Sequence, residues 1–270
     1  MGDDLSVVLF VEGSEGPPNP RRSDPLVSIW QEVLVSELGL HEIERVVSIS
    51  KRNLVAMVPE FSQMSGRAIP FDELMARELE HMPFDAAVVA WDILPPWSNL
   101  PLDRWTETLL LHEGLARSEV LPLPWRTTAE RRLDELVSRP CPGARRGPPR
   151  MGRHTVLALC MEPTFEALIL ECEAAVRAAL GVSRRRTPRW PTWWSPGDPR
   201  RPEDVLQAAI LAAESLDPRP NAFRKVRGDM RTAKNDWGLF LLRRLLDDAR
   251  CRPRLEAHPI AVRAREVLDR

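Results

Sequence analysis

The stretch Leu5-Ser6-Val7-Val8-Leu9-Phe10-Val11-Glu12-Gly13 decides how this chain is read. An apolar run rich in β-branched residues, too short for a helix and ended by an acid and a glycine, predicts a buried strand emptying into the Pro/Gly-rich loop of residues 13–20. Outward from it, Leu26, Ile29, Trp30, Val33, Leu34 and Leu38 form a helical stripe, with Ser23 or Asp24 as cap and Gly39 as stop. Residues 43–49 predict a second strand, 71–82 an amphipathic helix, and 85–91 a third strand that ends on Asp92. Such alternation favours right-handed crossovers and a mostly parallel sheet flanked by helices, whose functional edge is the carboxyl end of the strands. Glu12 and Asp92 both fall at such ends.

Further along, residues 102–120 and 127–137 read as helices separated by Pro122 and Pro124, followed by a basic loop over 139–153. Residues 155–161 return to strand character, and 165–180 form a strongly helical run that ends at Gly181. Residues 183–201 then hold six Arg, four Pro and three Trp, a linker or a functional loop by composition. Helical periodicity returns over 202–215, 237–249 and 259–268. The expected organisation is an α/β domain over 1–182, the Arg/Trp/Pro segment 183–201 and a helical C-terminal region over 202–270.

A chain of 270 residues, 43% apolar and 29% charged, can bury a real core, which excludes a disordered chain and a disulfide mini-scaffold. No uncharged apolar run approaches the roughly 20 residues a bilayer needs, and the acidic start lacks the basic front of a signal peptide. A cytoplasmic protein without membrane contact is expected. Cys141, Cys160, Cys172 and Cys251 show neither CxxC spacing nor a finger-like His partner, so reduced thiols are expected. With a formal charge of −1, nucleic acid can be attracted only through local patches. Neither phosphate-cradling glycine motif, the G-x-S-x-G elbow nor the H-E-x-x-H zinc helix is present.

Two carboxylates at neighbouring strand ends can share Mg²⁺ or Mn²⁺, since hard cations prefer anionic oxygen and Mg²⁺ retains several waters. Such an ion would activate water and neutralise a scissile phosphate. The structural alternative is that Glu12 and Asp92 are solvated loop residues. Val11-Glu12-Gly13-Ser14-Glu15, followed by Ala90-Trp91-Asp92, resembles the TOPRIM domains of primases, topoisomerases and overcoming-lysogenization-defect nucleases. Met161-Glu162-Pro163-Thr164-Phe165-Glu166-Ala167-Leu168 is similar to a signature of TOPRIM-like proteins of bacterial defence loci. Leu94 departs from the pattern by occupying the place of the second acid of an Asp-x-Asp pair.

The resemblance implies a TOPRIM-like α/β fold with Glu12 and Asp92 as metal ligands, Glu166 as a third acid and Glu15 as a helper. It also implies a Lys near the scissile phosphate, for which Lys234 is the candidate among only three lysines. Glu166 is also the candidate most easily explained otherwise, as a favourable acid at the positive end of a helix. Asp103 and His112-Glu113 could replace the missing acid or form an ordinary polar face. Arg184, Arg185, Arg186, Arg189, Arg200 and Arg201 could neutralise phosphates while Trp190, Trp193 and Trp194 stack on unpaired bases. Alternatively this is a Pro-stiffened connection whose tryptophans pack against the helical region or a partner. Arg219, Arg224, Lys225, Arg227, Arg231 and Lys234 form a second basic cluster able to meet phosphates.

The resulting expectation is a Mg²⁺- or Mn²⁺-dependent nuclease, or nuclease subunit, acting on DNA in bacterial antiviral defence, with a protein partner such as an ATPase. The alternative is a catalytically degenerate TOPRIM module that serves as a binding or regulatory subunit.

Overall fold

Strands buried against helices need apolar residues on both faces, and four segments, three of them nearly continuous apolar runs, form the sheet. They are β1 (Val7–Glu12), β2 (Ile43–Ile49), β3 (Ala86–Asp92) and β4 (Thr155–Met161). The computed structural model describes residues 5–12, 43–58, 66–93, 104–138, 152–161, 164, 166–183, 189–226 and 233–257. All ladders are parallel and the spatial order is β2-β1-β3-β4, which makes an α/β fold. From β1 the chain steps outward to β2, then returns past β1 to β3 on the other side. The strand order therefore reverses between β1 and β3, the position at which open α/β sheets leave a crevice beyond their carboxyl ends.

Helices α1 (Lys51–Ala56), α2 (Phe71–His81), α3 (Arg104–Arg117) and α4 (Leu123–Ser138) accompany the sheet. Phe10, Leu54, Phe71, Met75, Val89, Trp91, Leu111 and Trp125 share one core, with the Phe10 and Phe71 rings edge to face at 5.2 Å. At the amino edge Asp85 joins three strand starts. Its carboxylate accepts from Ser6 N–H at 3.1 Å, its carbonyl accepts from His154 N–H, and Arg153 pairs with it at 3.4 Å.

The chain divides into two compact units between Glu162 and Pro163, ahead of the composition change at 183. The second unit contains α5 (Glu166–Leu170), α6 (Glu173–Leu180), α7 (Pro202–Glu214), α8 (Ala222–Lys225), α9 (Ala233–Asp247) and α10 (Arg252–Glu256). Ile169, Val176, Val205, Ile210, Trp237, Leu241 and Leu245 are buried there. Gly181 ends α6 with φ at 73°, the left-handed stop its position predicted. The single helix expected over 165–180 is instead two, α5 and α6, separated by a turn at 171–172. The helices expected over 25–38 and 259–268 lie outside the described residues. No described helix is long and apolar enough to cross a membrane.

The expectation of four reduced thiols is also corrected. Cys172 and Cys251, 79 residues apart, are bonded with their Cα atoms 6.0 Å apart, while Cys160 is a buried thiol outside that bond. Spacing could not reveal this pair, because the two residues meet only once α6 and α10 have packed. Closing so long a loop removes unfolded-state entropy. Replacing both residues by Ser is expected to lower the unfolding free energy by about 2–4 kcal/mol. A lower urea midpoint for the variant, matched by wild type in reductant, is the measurement that checks it.

Candidate functional site

The β1–β3 ladder pairs residues as far as Val11↔Ala90, and beyond it a side chain continues the work of the backbone. Glu12 Oε2 accepts a hydrogen bond from the Asp92 N–H at 2.9 Å, so two acids 80 positions apart stand side by side at the switch point. Glu12 is partly buried, and Asp92 retains 8% exposure. The two sequence-predicted acids are thus neighbours, and the Glu12 carboxylate is oriented by its neighbour's amide.

Beneath them lies a buried ionic cluster that sequence reading missed. Ser50 precedes α1, and its N–H and hydroxyl both donate to Asn53 Oδ1, at 2.7 and 2.8 Å. Asn53 Nδ2 in turn donates to the Ile69 carbonyl at 2.8 Å. This cap fixes the first turn and places Lys51 at its head. From there the Lys51 ammonium donates to the carbonyls of Asp92 and Ile93, at 2.7 and 2.6 Å. It also pairs with Glu107 Oε1 of α3 at 3.2 Å. Glu107 Oε2 accepts from Trp91 Nε1–H at 2.6 Å and lies 3.9 Å from Cys160 Sγ.

Lys51 and Glu107 are 7% and 4% exposed, so each charge requires the other. The ammonium suits the slot because its three donors diverge from one compact nitrogen, whereas a guanidinium would need a flat, wider space. Two signals in the sequence could have pointed here. One is the Ser50-x-x-Asn53 spacing. The other is an acid at Glu107 in register with Leu111 and Leu115, on the buried stripe of α3.

The remaining candidates divide sharply. Glu166 is 2% exposed in the first turn of α5, within the second unit. His112 is buried in α3, where desolvation and then the nearby Arg132 charge lower its pKa to about 3; it is a neutral core residue. Glu113 pairs with Arg117 at 2.6 Å one turn along, an ordinary surface pair. Trp194 is 8% exposed and donates to the Arg200 carbonyl at 3.1 Å, which leaves no face for a base. Trp193 donates to the Leu170 carbonyl at 2.6 Å and stacks on Trp190, the rings 5.8 Å apart and within 7° of parallel. Arg177 lies over the Trp190 ring at 4.0 Å.

Arg200 bonds Asp198 and the carbonyls of Thr192 and Trp193, and the Arg200 hydrogen bonds hold the Asp198 carboxyl below its ordinary range. Arg201 pairs with Glu203. Arg189 and Arg224 are exposed. Lys225 and Lys234 lie on α8 and α9, with side chains outside the described residues. Glu15, Leu94, Asp103, Arg184, Arg185, Arg186, Arg227 and Arg231 are likewise outside them. Among the described residues no group of three or more His, Cys, Asp or Glu is gathered as for a metal ion. The contact that joins Glu12 and Asp92 is the Asp92 backbone amide donating to the Glu12 carboxylate; carboxylate oxygen suits Mg²⁺ in chemistry, and two acids are a sparse donor set.

Breaking the buried pair should be costly. Lys51→Met is expected to destabilise the protein by about 3–5 kcal/mol, because the Glu107 carboxylate is left buried without its counter-charge. Adding Glu107→Gln should recover part of that loss in chemical denaturation, since the amide oxygen still accepts from Trp91. For His112 the folded pKa lies below the unfolded value, so the unfolded chain binds the proton first as pH falls. Stability is therefore whole above about 6.5 and declines towards pH 3, at roughly 1.4 kcal/mol per unit from this group. Subtracting the pH–stability curve of His112→Gln from that of wild type isolates the slope. The chain matches no protein-family model, and no curated protein and no solved structure matches it.

Proposed function

We propose that this chain is a divalent-metal-dependent nuclease, or the nuclease subunit of a larger assembly, built on a TOPRIM-like domain and acting on DNA in bacterial antiviral defence. The observation that carries the reading is the meeting of Glu12 and Asp92 at the β1/β3 switch point, where α/β folds concentrate their ligand sites. Glu12 and Asp92 would hold Mg²⁺ or Mn²⁺, which when bound activates water and offsets charge on a phosphodiester. The chain's own part is positioning. Lys51 anchors the backbone on which Asp92 sits, and the Asp92 amide aims the Glu12 carboxylate. Holding both acids on buried, hydrogen-bonded strand ends limits the reorganisation needed when a cation binds.

A second reading is favoured by a specific observation: only two acids meet at this edge among the described residues, and Leu94 stands where a further acid would be expected. In that reading the domain is a catalytically degenerate module that docks a partner, such as an ATPase. A cytoplasmic setting suits either role, and the Cys172–Cys251 bond is the feature that runs against it, since disulfides persist mainly in oxidising compartments.

Purified protein incubated with plasmid and single-stranded DNA in Mg²⁺ or Mn²⁺ separates the two readings. Wild type is expected to cleave, and Glu12→Gln and Asp92→Asn each to lose at least about 100-fold in rate. The glutamine retains an acceptor for the Asp92 amide, so its loss would trace to charge rather than to folding. Inactivity of all three folded proteins would overturn the nuclease reading in favour of the docking module.

A further inference from the structure

The second unit contains a groove of about 930 Å³ walled by α6, the 216–222 turn, α8 and α9, within the size range of a ligand site. Three arginines from three different elements line it: Arg219 from the turn, Arg224 from α8 and Arg244 from α9. Two of them are held by aromatic faces, Arg219 at 5.1 Å over Phe223 and Arg244 at 5.7 Å over Phe240. A guanidinium stacked through its plane keeps its edge N–H groups directed outward, the geometry that grips phosphate oxygens in pairs. Arg219 is also braced from the side by Glu214.

Two acids, Asp217 and Asp248, line the groove beside the arginines. Asp248 Oδ1 is engaged by its own chain, accepting from the Arg250 and Cys251 N–H groups at 2.8 and 3.3 Å, where it caps the turn into α10. Three arginines from separate elements around one groove fit a ligand that carries several phosphates better than one bearing a single anion.

We infer that this groove binds the phosphodiester backbone of single-stranded DNA, with Arg219, Arg224 and Arg244 as its phosphate contacts. The choice of polyanion rests on the nuclease reading, but the contacts require no metal and no cleavage. Binding is therefore measured in chelator, by fluorescence anisotropy of a labelled oligothymidylate of about 20 nucleotides over a salt series. Wild type is expected to bind with strong salt dependence. The triple variant Arg219→Ala/Arg224→Ala/Arg244→Ala should bind at least about tenfold more weakly, with a log–log salt slope shallower by about 2, as three lost phosphate contacts on a single strand imply.

Arg131→Ala, removing an exposed arginine of α4, is the charge control and should bind as wild type does. Thermal melts confirm that each variant is folded. Equal affinity and slope in wild type and the folded triple variant, or no binding by wild type, would overturn the inference. Loss of cleavage in Mg²⁺ with the binding pattern intact would count against the nuclease reading alone.

Discussion

The carboxyl end of a parallel sheet leaves strand carbonyls without ladder partners, and in this protein one buried ammonium answers for two of them. Lys51 reaches from the head of α1, beyond β2, to the carbonyls of Asp92 and Ile93 at the end of β3, with Glu107 balancing its charge. Strand order places β1 between the two ends so linked, so the contact ties three strands and α3 at one point. If that anchor were loosened, the position of Asp92 would no longer be set by the sheet, and the meeting with Glu12 would be lost with it. The polar cluster thus holds the only pair of acids that the described sheet edge presents as neighbours across strands.

What could be read in advance follows from what is local. Val7-Val8-Leu9-Phe10-Val11 and Ala86-Ala87-Val88-Val89-Ala90 are continuous apolar runs because both faces are covered, and such runs identify buried strands without further context. Glu12 and Asp92 were legible for the same reason, as the first polar residues after those runs. Lys51 was not. It opens a six-residue helix with no stripe, in a Ser-Lys-Arg-Asn sequence that reads as an exposed turn, and its burial depends on an acid 56 positions later. His112 misleads in the opposite sense: a titratable residue that looks available is sealed in the core and kept neutral.

The second unit shows how composition can leave two readings open until packing chooses between them. Trp190, Trp193 and Trp194 are equally suited to bases and to protein, and here Trp194 is buried while the other two stack on each other beneath Arg177. The arginines divide in the same way. Arg200 and Arg201 engage intramolecular partners, while of those lining the groove Arg219 pairs with Glu214 and lies over Phe223, and Arg244 lies over Phe240.

The bond between Cys172 and Cys251 gives the second unit a property that no helix or contact supplies. Residues 172–251 form a covalent ring, with both the Trp-rich segment and the groove inside it. A protease that cut once anywhere in that ring would yield two polypeptides still joined through sulfur. They would migrate as one molecule until a reductant was added, and the severed ends could remain seated in the same packed unit.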